Sequence, residues 1–396
     1  MARFYLSTMR PRDPEEPHRA ASSLELFFDL VFVVAVSIAA VNLHHDLSEG
    51  HFAHGIKAFA LVFFAIWWAW MNFTWFATSF DTDDWLYRVL TLVQMAGVLV
   101  LAAGIEPAFV DENFVIVIIG YVIMRAALVA QWLRASRADE SLRATTRMYA
   151  LGVTIVQILW LLWLLLDGPA KTIGLFLLVL AELSVPLIAE RRGNTPWHPH
   201  HITERYGLFT LILLGESLLA SANAVIEALH EDHELASLIS VAVLAFIVTA
   251  ALWWIYFWPP HHDAIGTLGQ SIRYGYGHYF IFAAAGAFSA GIEVEIDQIT
   301  GKSHISEVQA SFTYTVPIAL FVLGVWLIAV RANADRVVNT VVPLCAVLVL
   351  FDPIIPVPVT LTAVLMVIMV AVLVVRPPVS QSSGPVSTSP TSSADH

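Results

Sequence analysis

About twelve apolar stretches dominate this chain of 396 residues, and most are long enough to cross a bilayer as a helix. A bilayer core of about 30 Å requires about 20 apolar residues per helix. Backbone groups in lipid must be bonded within their own segment, which favours helices. The sequence therefore predicts an all-α, polytopic membrane protein with about twelve transmembrane helices. The stretches are residues 24–43, 58–80, 88–105, 114–134, 148–166, 172–189, 205–225, 236–258, 273–292, 311–330, 337–351 and 354–375.

The composition agrees with a chain that lies mostly in lipid. Hydrophobic residues make up 58% of the sequence and charged residues 13%, whereas a soluble domain carries about 25% charged residues. No phosphate-binding loop, dinucleotide fingerprint or nucleophile elbow occurs. We therefore expect the bilayer as the main partner, no cofactor and no nucleic acid, and an enzymatic role is the less favoured alternative.

The sequence repeats several of its features at a nearly constant spacing of 185 to 187 residues. This spacing covers six predicted helices, an even number, so matching helices would cross the membrane in the same direction. We therefore predict two parallel six-helix modules. The repeated features are Trp67-Trp68 and Trp253-Trp254, Asp29 and Glu216, Arg88 and Arg273, and the identical tetrapeptides Ala103–Glu106 and Ala290–Glu293.

Five regions follow from this pattern. Residues 1–20 form a basic, proline-containing tail, and residues 21–190 are the first membrane module. Residues 191–203 connect it to the second module, residues 204–376. Residues 377–396 are rich in Ser, Pro and Thr, a composition typical of disorder.

The basic residues predict the orientation of the chain. Lys and Arg near helix ends favour the cytoplasm, and a cytoplasmic N-terminus places sixteen basic residues inside and three outside. Both termini should then be cytoplasmic. The inner residues are Arg3, Arg10, Arg12, Arg19, Arg88, Arg134, Arg137, Arg143, Arg147, Arg191, Arg192, Arg205, Arg273, Arg331, Arg336 and Arg376, and the outer ones Lys57, Lys171 and Lys302.

Acidic residues inside apolar stretches are the first candidates for function. Asp29 and Glu216 lie at matching places of the two modules. A charge at the centre of a membrane helix costs about 2.5–3.5 kcal/mol on insertion scales, so each needs a partner, a water-filled cavity or a proton. Two hypotheses follow: the acids hold helices together, or they face one cavity on a polar pathway.

Other polar residues extend this candidate set. Glu25 lies four residues before Asp29, on the same helix face, although Ser22 and Glu25 also fit a capping box. Arg125 is a natural countercharge for a buried acid, or it extends to the membrane interface. Glu182 is a further intramembrane acid, and His278 is either a polar core residue or a proton relay.

Histidines in two connectors suggest metal binding as an alternative. Both connectors are cytoplasmic in the predicted topology, so their ligand-type side chains could meet. Neither cluster has the spacing of a known metal motif, and we therefore favour polar loops without metal. The residues are His198, His200, His201, His261, His262 and Asp263. The chain also has 13 tryptophans, which we interpret as an aromatic belt at the membrane interfaces.

Three segments resemble a known family. Ser23–Phe32 (SLELFFDLVF), Glu204–Thr210 (ERYGLFT) and Leu214–Ser217 (LGES) are similar to the bacterial low temperature requirement protein A family. The resemblance covers roughly residues 20–376 and makes Glu204, Arg205 and Gly215 family-motif residues. It implies a multi-pass protein of the bacterial inner membrane.

The first helix also resembles that of endolysosomal potassium and proton channels with a Phe-Ser-Asp motif. The similar segment is Phe28–Ser37, in which Phe28 stands at the serine position of the motif. Those channels have six-helix units whose first helices line the pore. Together these features favour a channel or transporter for a small cation, proton or solute. The alternatives are a membrane enzyme that uses the histidine loops and a structural or regulatory membrane protein.

Overall fold

All regular structure in the described part of the chain is helical. The computed structural model describes residues 6–17, 19–229, 235–355 and 358–379. The tail predicted to be disordered lies outside the described residues from 380 onward, as do the first five residues and residues 230–234 of a predicted outer loop.

The first half of the chain contains one short helix and six long ones. They are α1 (Ser23–Ser48), α2 (Phe52–Phe80), α3 (Trp85–Ala103), the short α4 (Ile105–Val110), α5 (Val115–Ala135), α6 (Arg143–Trp163) and α7 (Gly168–Glu190).

The described part of the second half contains seven α-helices. Its helices are α8 (Pro199–Ala228), α9 (Leu235–Phe257), α10 (Leu268–Ile299), α11 (Glu307–Val325), α12 (Arg331–Asn333), α13 (Val338–Val349) and α14 (Pro358–Val375). A 3-10 turn (His261–Ile265) precedes α10, and a π-helical turn (Trp326–Val330) joins α11 to α12.

The predicted fold class is confirmed. Within the described residues, ten helical segments are long and apolar enough to cross a membrane. The last two predicted stretches form the shorter apolar helices α13 and α14. The duplication itself stays a prediction, as do the boundaries of the two modules.

The repeated tetrapeptide has a packing role in both halves. Gly104 lies where α3 approaches α5, and Gly291 lies where α10 approaches α11. A Cβ atom at Gly104 would overlap the backbone of Ile116 and Val117, and one at Gly291 would overlap that of Thr313. Small residues allow membrane helices to approach this closely, so each glycine permits the close contact of its two helices.

The tryptophans do not all form an interfacial belt, and that interpretation is wrong for α2. Trp67, Trp68 and Trp70 are at most 1% exposed, because their rings pack inside the helix bundle. Trp253 and Trp254 are 43% and 41% exposed on α9, as belt residues are. The two Trp-Trp pairs therefore have different environments.

The N-terminal segment lies across one end of the bundle. The amide of Arg12 donates to the Ser79 carbonyl (2.9 Å), and Arg19 donates to the Ala77 carbonyl (3.0 Å). His198, just before α8, bonds the Glu16 carbonyl (2.9 Å). We call this end, where α1, α8 and α10 begin, the proximal end, and the opposite end the distal end.

Candidate functional site

A buried ion-pair network joins α1 to α8 near the proximal end. Arg205 donates two hydrogen bonds to the Asp29 carboxylate, at 2.9 and 2.5 Å, and a third to Glu25 at 3.0 Å. Arg205 is 0% exposed and both acids are 1% exposed. A buried charge is tolerated when it is paired and hydrogen-bonded, so Arg205 makes the burial of both acids possible.

The network joins two pairs of residues, and the members of each pair are four residues apart on one helix. Glu25 and Asp29 lie one turn apart on α1, and His201 and Arg205 lie one turn apart on α8. His201 Nε2 is 3.1 Å from Glu25 Oε1. The predicted capping box is confirmed, since Ser22 and Glu25 bond each other's amides. Glu25 therefore caps α1 with one carboxylate oxygen and binds α8 with the other.

The indole group of Trp70 completes the network. Trp70 of α2 donates from Nε1 to Asp29 (2.7 Å), and its ring stacks on Phe209 with centroids 4.4 Å apart. Both oxygens of Asp29 are thus hydrogen-bonded. We call Glu25, Asp29, Trp70, His201 and Arg205 the proximal network.

A second buried ion pair lies within the first half of the chain. Arg125 and Glu182 are 3.2 Å apart and are 2% and 3% exposed. Trp68 and Trp160 donate to the Glu182 carboxylate at 2.7 and 3.2 Å, and Arg125 donates to the Tyr121 hydroxyl at 2.6 Å. Arg125 thus stays in the protein interior instead of extending to the interface, and its partner is Glu182.

Sequence reasoning missed the partner of Asp29. The sequence places Arg205 only among the inner basic residues and the family-motif residues, whereas in the structure it lies in the second turn of α8. The sequence signal that could have found this pair is the position along the helix. Asp29 and Arg205 each lie six residues after the start of their helix. Two opposite charges at equal depth in adjacent parallel helices can meet.

Three buried phenylalanines lie on the distal side of this network. They are Phe32 of α1, Phe209 of α8 and Phe282 of α10, and each is 0% exposed. The ring centroids of Phe32 and Phe209 are 6.5 Å apart, and those of Phe209 and Phe282 are 5.1 Å apart. We call these three residues the phenylalanine layer, which separates the proximal network from the other end of the three helices.

A polar cleft opens beyond the phenylalanine layer, between the same three helices. Its volume is about 240 Å³, and we call it the distal cleft. In each helix the cleft residues follow the phenylalanine, so α1, α8 and α10 run in the same direction. The lining residues are Ser37, Ala40, Val41, His44, Glu216, Leu219, Ala220, Asn223, Ser289, Ala290 and Glu293.

The acids of the distal cleft have neutral hydrogen-bond partners. Glu216 is half-buried and accepts a bond from Ser37, and Glu293 accepts one from Asn223 at 2.8 Å. No Lys or Arg is among the described residues that line the cleft. The cleft therefore places two carboxyl groups, with no Lys or Arg beside them in its described lining, within the apolar part of the bundle.

Asp29 and Glu216 do not share one cavity, contrary to the second sequence hypothesis. Asp29 lies in the proximal network, and Glu216 lies in the distal cleft. Eight residues separate Asp29 from Ser37 on α1, which is about 12 Å at 1.5 Å per residue. Along α1 this interval contains Phe32 and Val36, and both side chains are buried in the core.

The remaining family-motif and core residues have separate positions. Glu204 accepts a bond from the Ala21 amide (3.1 Å), next to the start of α1. Gly215 is exposed with open space around it, so close helix packing does not explain it. His278 is fully buried, donates to the Tyr274 carbonyl (2.7 Å) and contacts the Tyr256 hydroxyl (3.0 Å).

The connector histidines have different partners and do not converge on one centre. His198 caps α8, and His201 belongs to the proximal network. His261 donates to the Tyr256 carbonyl (2.6 Å), and its burial lowers its pKa to about 4. The rings of His200 and His262 lie 4.2 Å apart, and Asp263 is 3.5 Å from His262. Among the described residues, no group of three metal-ligand side chains comes together.

The fold and the buried charges define a multi-pass α-helical membrane protein. The family model of the bacterial low temperature requirement A protein (LtrA) matches residues 20–375 of this chain. The chain therefore belongs to the LtrA family, and the resemblance found in the three motifs is confirmed.

One curated relative has a partial match. The chain is 30% identical over 247 residues to the uncharacterized protein RA0937 of Rhizobium meliloti (strain 1021). The match covers 60% of this chain and 58% of the relative, so the chain spans less than two thirds of that protein's length.

Proposed function

We propose that this protein is a channel or transporter for a small cation or a proton. The observation that carries the proposal is the distal cleft, in which Glu216 and Glu293 lie between α1, α8 and α10. Intramembrane acids that face a polar space are typical of ion pathways. The cleft would serve as the cation entry, and the phenylalanine layer as the barrier that must open for passage.

The contrast between the two polar regions supports this division of roles. In the proximal network Arg205 forms ion pairs with both Glu25 and Asp29. In the distal cleft the direct partners of Glu216 and Glu293 are the neutral side chains of Ser37 and Asn223. An uncompensated carboxylate attracts cations into a low-dielectric cleft. We therefore assign transport to the cleft acids and helix anchoring to the proximal acids.

The orientation is part of the same proposal. The excess of basic residues at one end supports a cytoplasmic proximal end and an inner-membrane location in bacteria. The distal cleft would then open to the outside of the cell.

Cysteine labelling tests this orientation. The native Cys345 is buried and is first replaced by alanine. A cysteine at Glu112, an exposed distal residue, should react with a membrane-impermeant maleimide in intact cells. A cysteine at Arg143, at the proximal end, should react only after lysis. Labelling of both in intact cells would contradict the topology.

Glu216→Gln should lower cation flux at least tenfold in proteoliposomes while the protein stays folded. Glutamine keeps the shape and the hydrogen bond to Ser37 but removes the charge. A tenfold change corresponds to about 1.4 kcal/mol in the barrier. Flux of protons, K⁺ and Na⁺ is measured separately, with pH- and ion-sensitive dyes, to identify the cation.

Glu307→Gln is the matched control, because Glu307 is exposed at the distal start of α11 and does not line the cleft. It should keep the flux of the native protein. If the native protein and the folded Glu216→Gln variant have equal flux, Glu216 does not take part in transport. No flux of any tested cation in native protein would favour a structural or regulatory role.

A further inference from the structure

An aromatic cavity lies at the proximal end, apart from the distal cleft. It is bounded by α2, α5, α6, α7, the start of α10 and the connector before α8, and its volume is about 60 Å³. Five aromatic side chains and one acid, Glu190, are among its lining residues. The aromatic residues are Trp75, Trp132, Tyr149, Trp197 and Tyr276.

The polar atoms of three of these rings are bound to neighbouring groups of the protein. Trp75 donates from Nε1 to the Tyr206 hydroxyl (3.1 Å), and Trp197 donates to the Ile265 carbonyl (3.3 Å). The Tyr276 hydroxyl likewise donates to a backbone carbonyl of α7 (2.8 Å). The rings are therefore fixed, and what they offer to a ligand is aromatic surface.

Glu190 is a buried acid without a cationic partner. It is the last residue of α7 and is 6% exposed. It accepts bonds from the Tyr149 hydroxyl (2.7 Å) and from the amide and hydroxyl of Thr195 (both 2.8 Å), which are neutral donors. Among the described residues, no Lys, Arg or His pairs with it or lines the cavity.

This lack of a countercharge distinguishes Glu190 from the acids of the two buried ion-pair networks. Asp29 and Glu25 are paired with Arg205, and Glu182 is paired with Arg125. A buried carboxylate without a cation is costly, and the space beside Glu190 is open. A positively charged ligand in the cavity would complete the pairing.

We propose that this cavity binds an alkylammonium group, with Glu190 as its counterion. Aromatic rings attract such cations through their faces, and rings grouped around a quaternary ammonium are a known recognition mode. The same chemistry occurs in a free small molecule such as choline and in a phosphatidylcholine headgroup. The site is independent of the proposed transport through the distal cleft.

Choline and 3,3-dimethylbutan-1-ol, its uncharged carbon analogue, distinguish cation recognition from hydrophobic filling. Binding to the full-length protein in a maltoside detergent is followed by tryptophan fluorescence. Choline should bind at least tenfold more tightly than the alcohol. Glu190→Gln should remove this preference by weakening choline alone, because glutamine can still bond Tyr149 and Thr195. Glu140→Gln, at an exposed proximal acid, should leave both affinities unchanged.

A second variant covers the case in which Glu190→Gln does not fold. Trp197 lies in the connector and is partly exposed, so Trp197→Leu keeps an apolar side chain at little structural cost. It should weaken choline about 3- to 30-fold, the range expected for the loss of one cation–π contact. Unchanged choline affinity in this variant would count against binding of the cation in the aromatic cavity.

Nanodiscs distinguish the two sources of the ligand. If phosphatidylcholine nanodiscs weaken choline binding relative to phosphatidylglycerol nanodiscs, the lipid headgroup occupies the site. If both lipids give the same affinity, the ligand is a free cation. Equal affinities for choline and the alcohol would overturn the proposal. The proposal would also be overturned if choline did not bind at millimolar concentration and the purified protein carried no phosphatidylcholine.

Discussion

Arg205→Gln should lower the free energy of unfolding by about 3–5 kcal/mol, the usual cost of removing one partner from a buried ion pair. Asp29 and Glu25 would keep their charges inside the bundle without a countercharge. A typical protein has only about 5–15 kcal/mol of stability, so the variant should be poorly folded at ambient temperature. Equilibrium unfolding in detergent micelles, followed by circular dichroism, measures the loss.

Two further variants separate the charge effect from general damage. Arg273→Gln changes an exposed arginine of α10 and should shift stability by less than about 0.5 kcal/mol. Adding Asp29→Asn and Glu25→Gln to Arg205→Gln should recover much of the loss, since glutamine also serves in a capping box. If the triple variant is no more stable than Arg205→Gln, the uncompensated charges are not the cause.

Local features of the fold could be predicted from the sequence. The helical stretches and the capping box of Ser22 and Glu25 depend on residues that are close in the chain. The pair of Asp29 and Arg205 joins positions 176 residues apart. Its formation depends on which helices become neighbours, and hydropathy carries no information about that.

The phenylalanine layer could not be predicted from the sequence for a different reason. The chain has 23 phenylalanines, and in a membrane protein the lipid-facing and core-facing sides are equally apolar. Phe246 of α9 is 60% exposed and Phe282 of α10 is 0% exposed, yet both lie in similar apolar stretches. Only the packing of α10 against α1 and α8 distinguishes them.

Two tryptophans of α2 also have roles that the sequence alone does not predict. Trp68 bonds Glu182 and Trp70 bonds Asp29, so one helix stabilises both buried ion pairs with indole groups. From the sequence these tryptophans were indistinguishable from interfacial ones, because both kinds combine an apolar ring with one polar atom. Burial of the ring and the position of a carboxylate decide between the two roles.

Phe282→Ser should increase cation flux at least tenfold if the phenylalanine layer is the barrier. The smaller, polar side chain would let water from the distal cleft pass the ring contact with Phe209. A tenfold increase needs a barrier only about 1.4 kcal/mol lower. Flux is measured in proteoliposomes with the same dyes as for Glu216→Gln, and folding is checked first because deletion of a buried phenylalanine costs about 3–5 kcal/mol.

The controls for this prediction come from the same helix and from the cleft. Phe280 lies two residues away and is 64% exposed, so Phe280→Ser should leave flux unchanged. Phe282→Leu keeps an apolar layer and should leak far less than Phe282→Ser. Adding Glu216→Gln to Phe282→Ser should reduce the enlarged flux, because cations would still enter through the acidic cleft. A folded Phe282→Ser protein with native flux would show that the barrier lies elsewhere in the bundle.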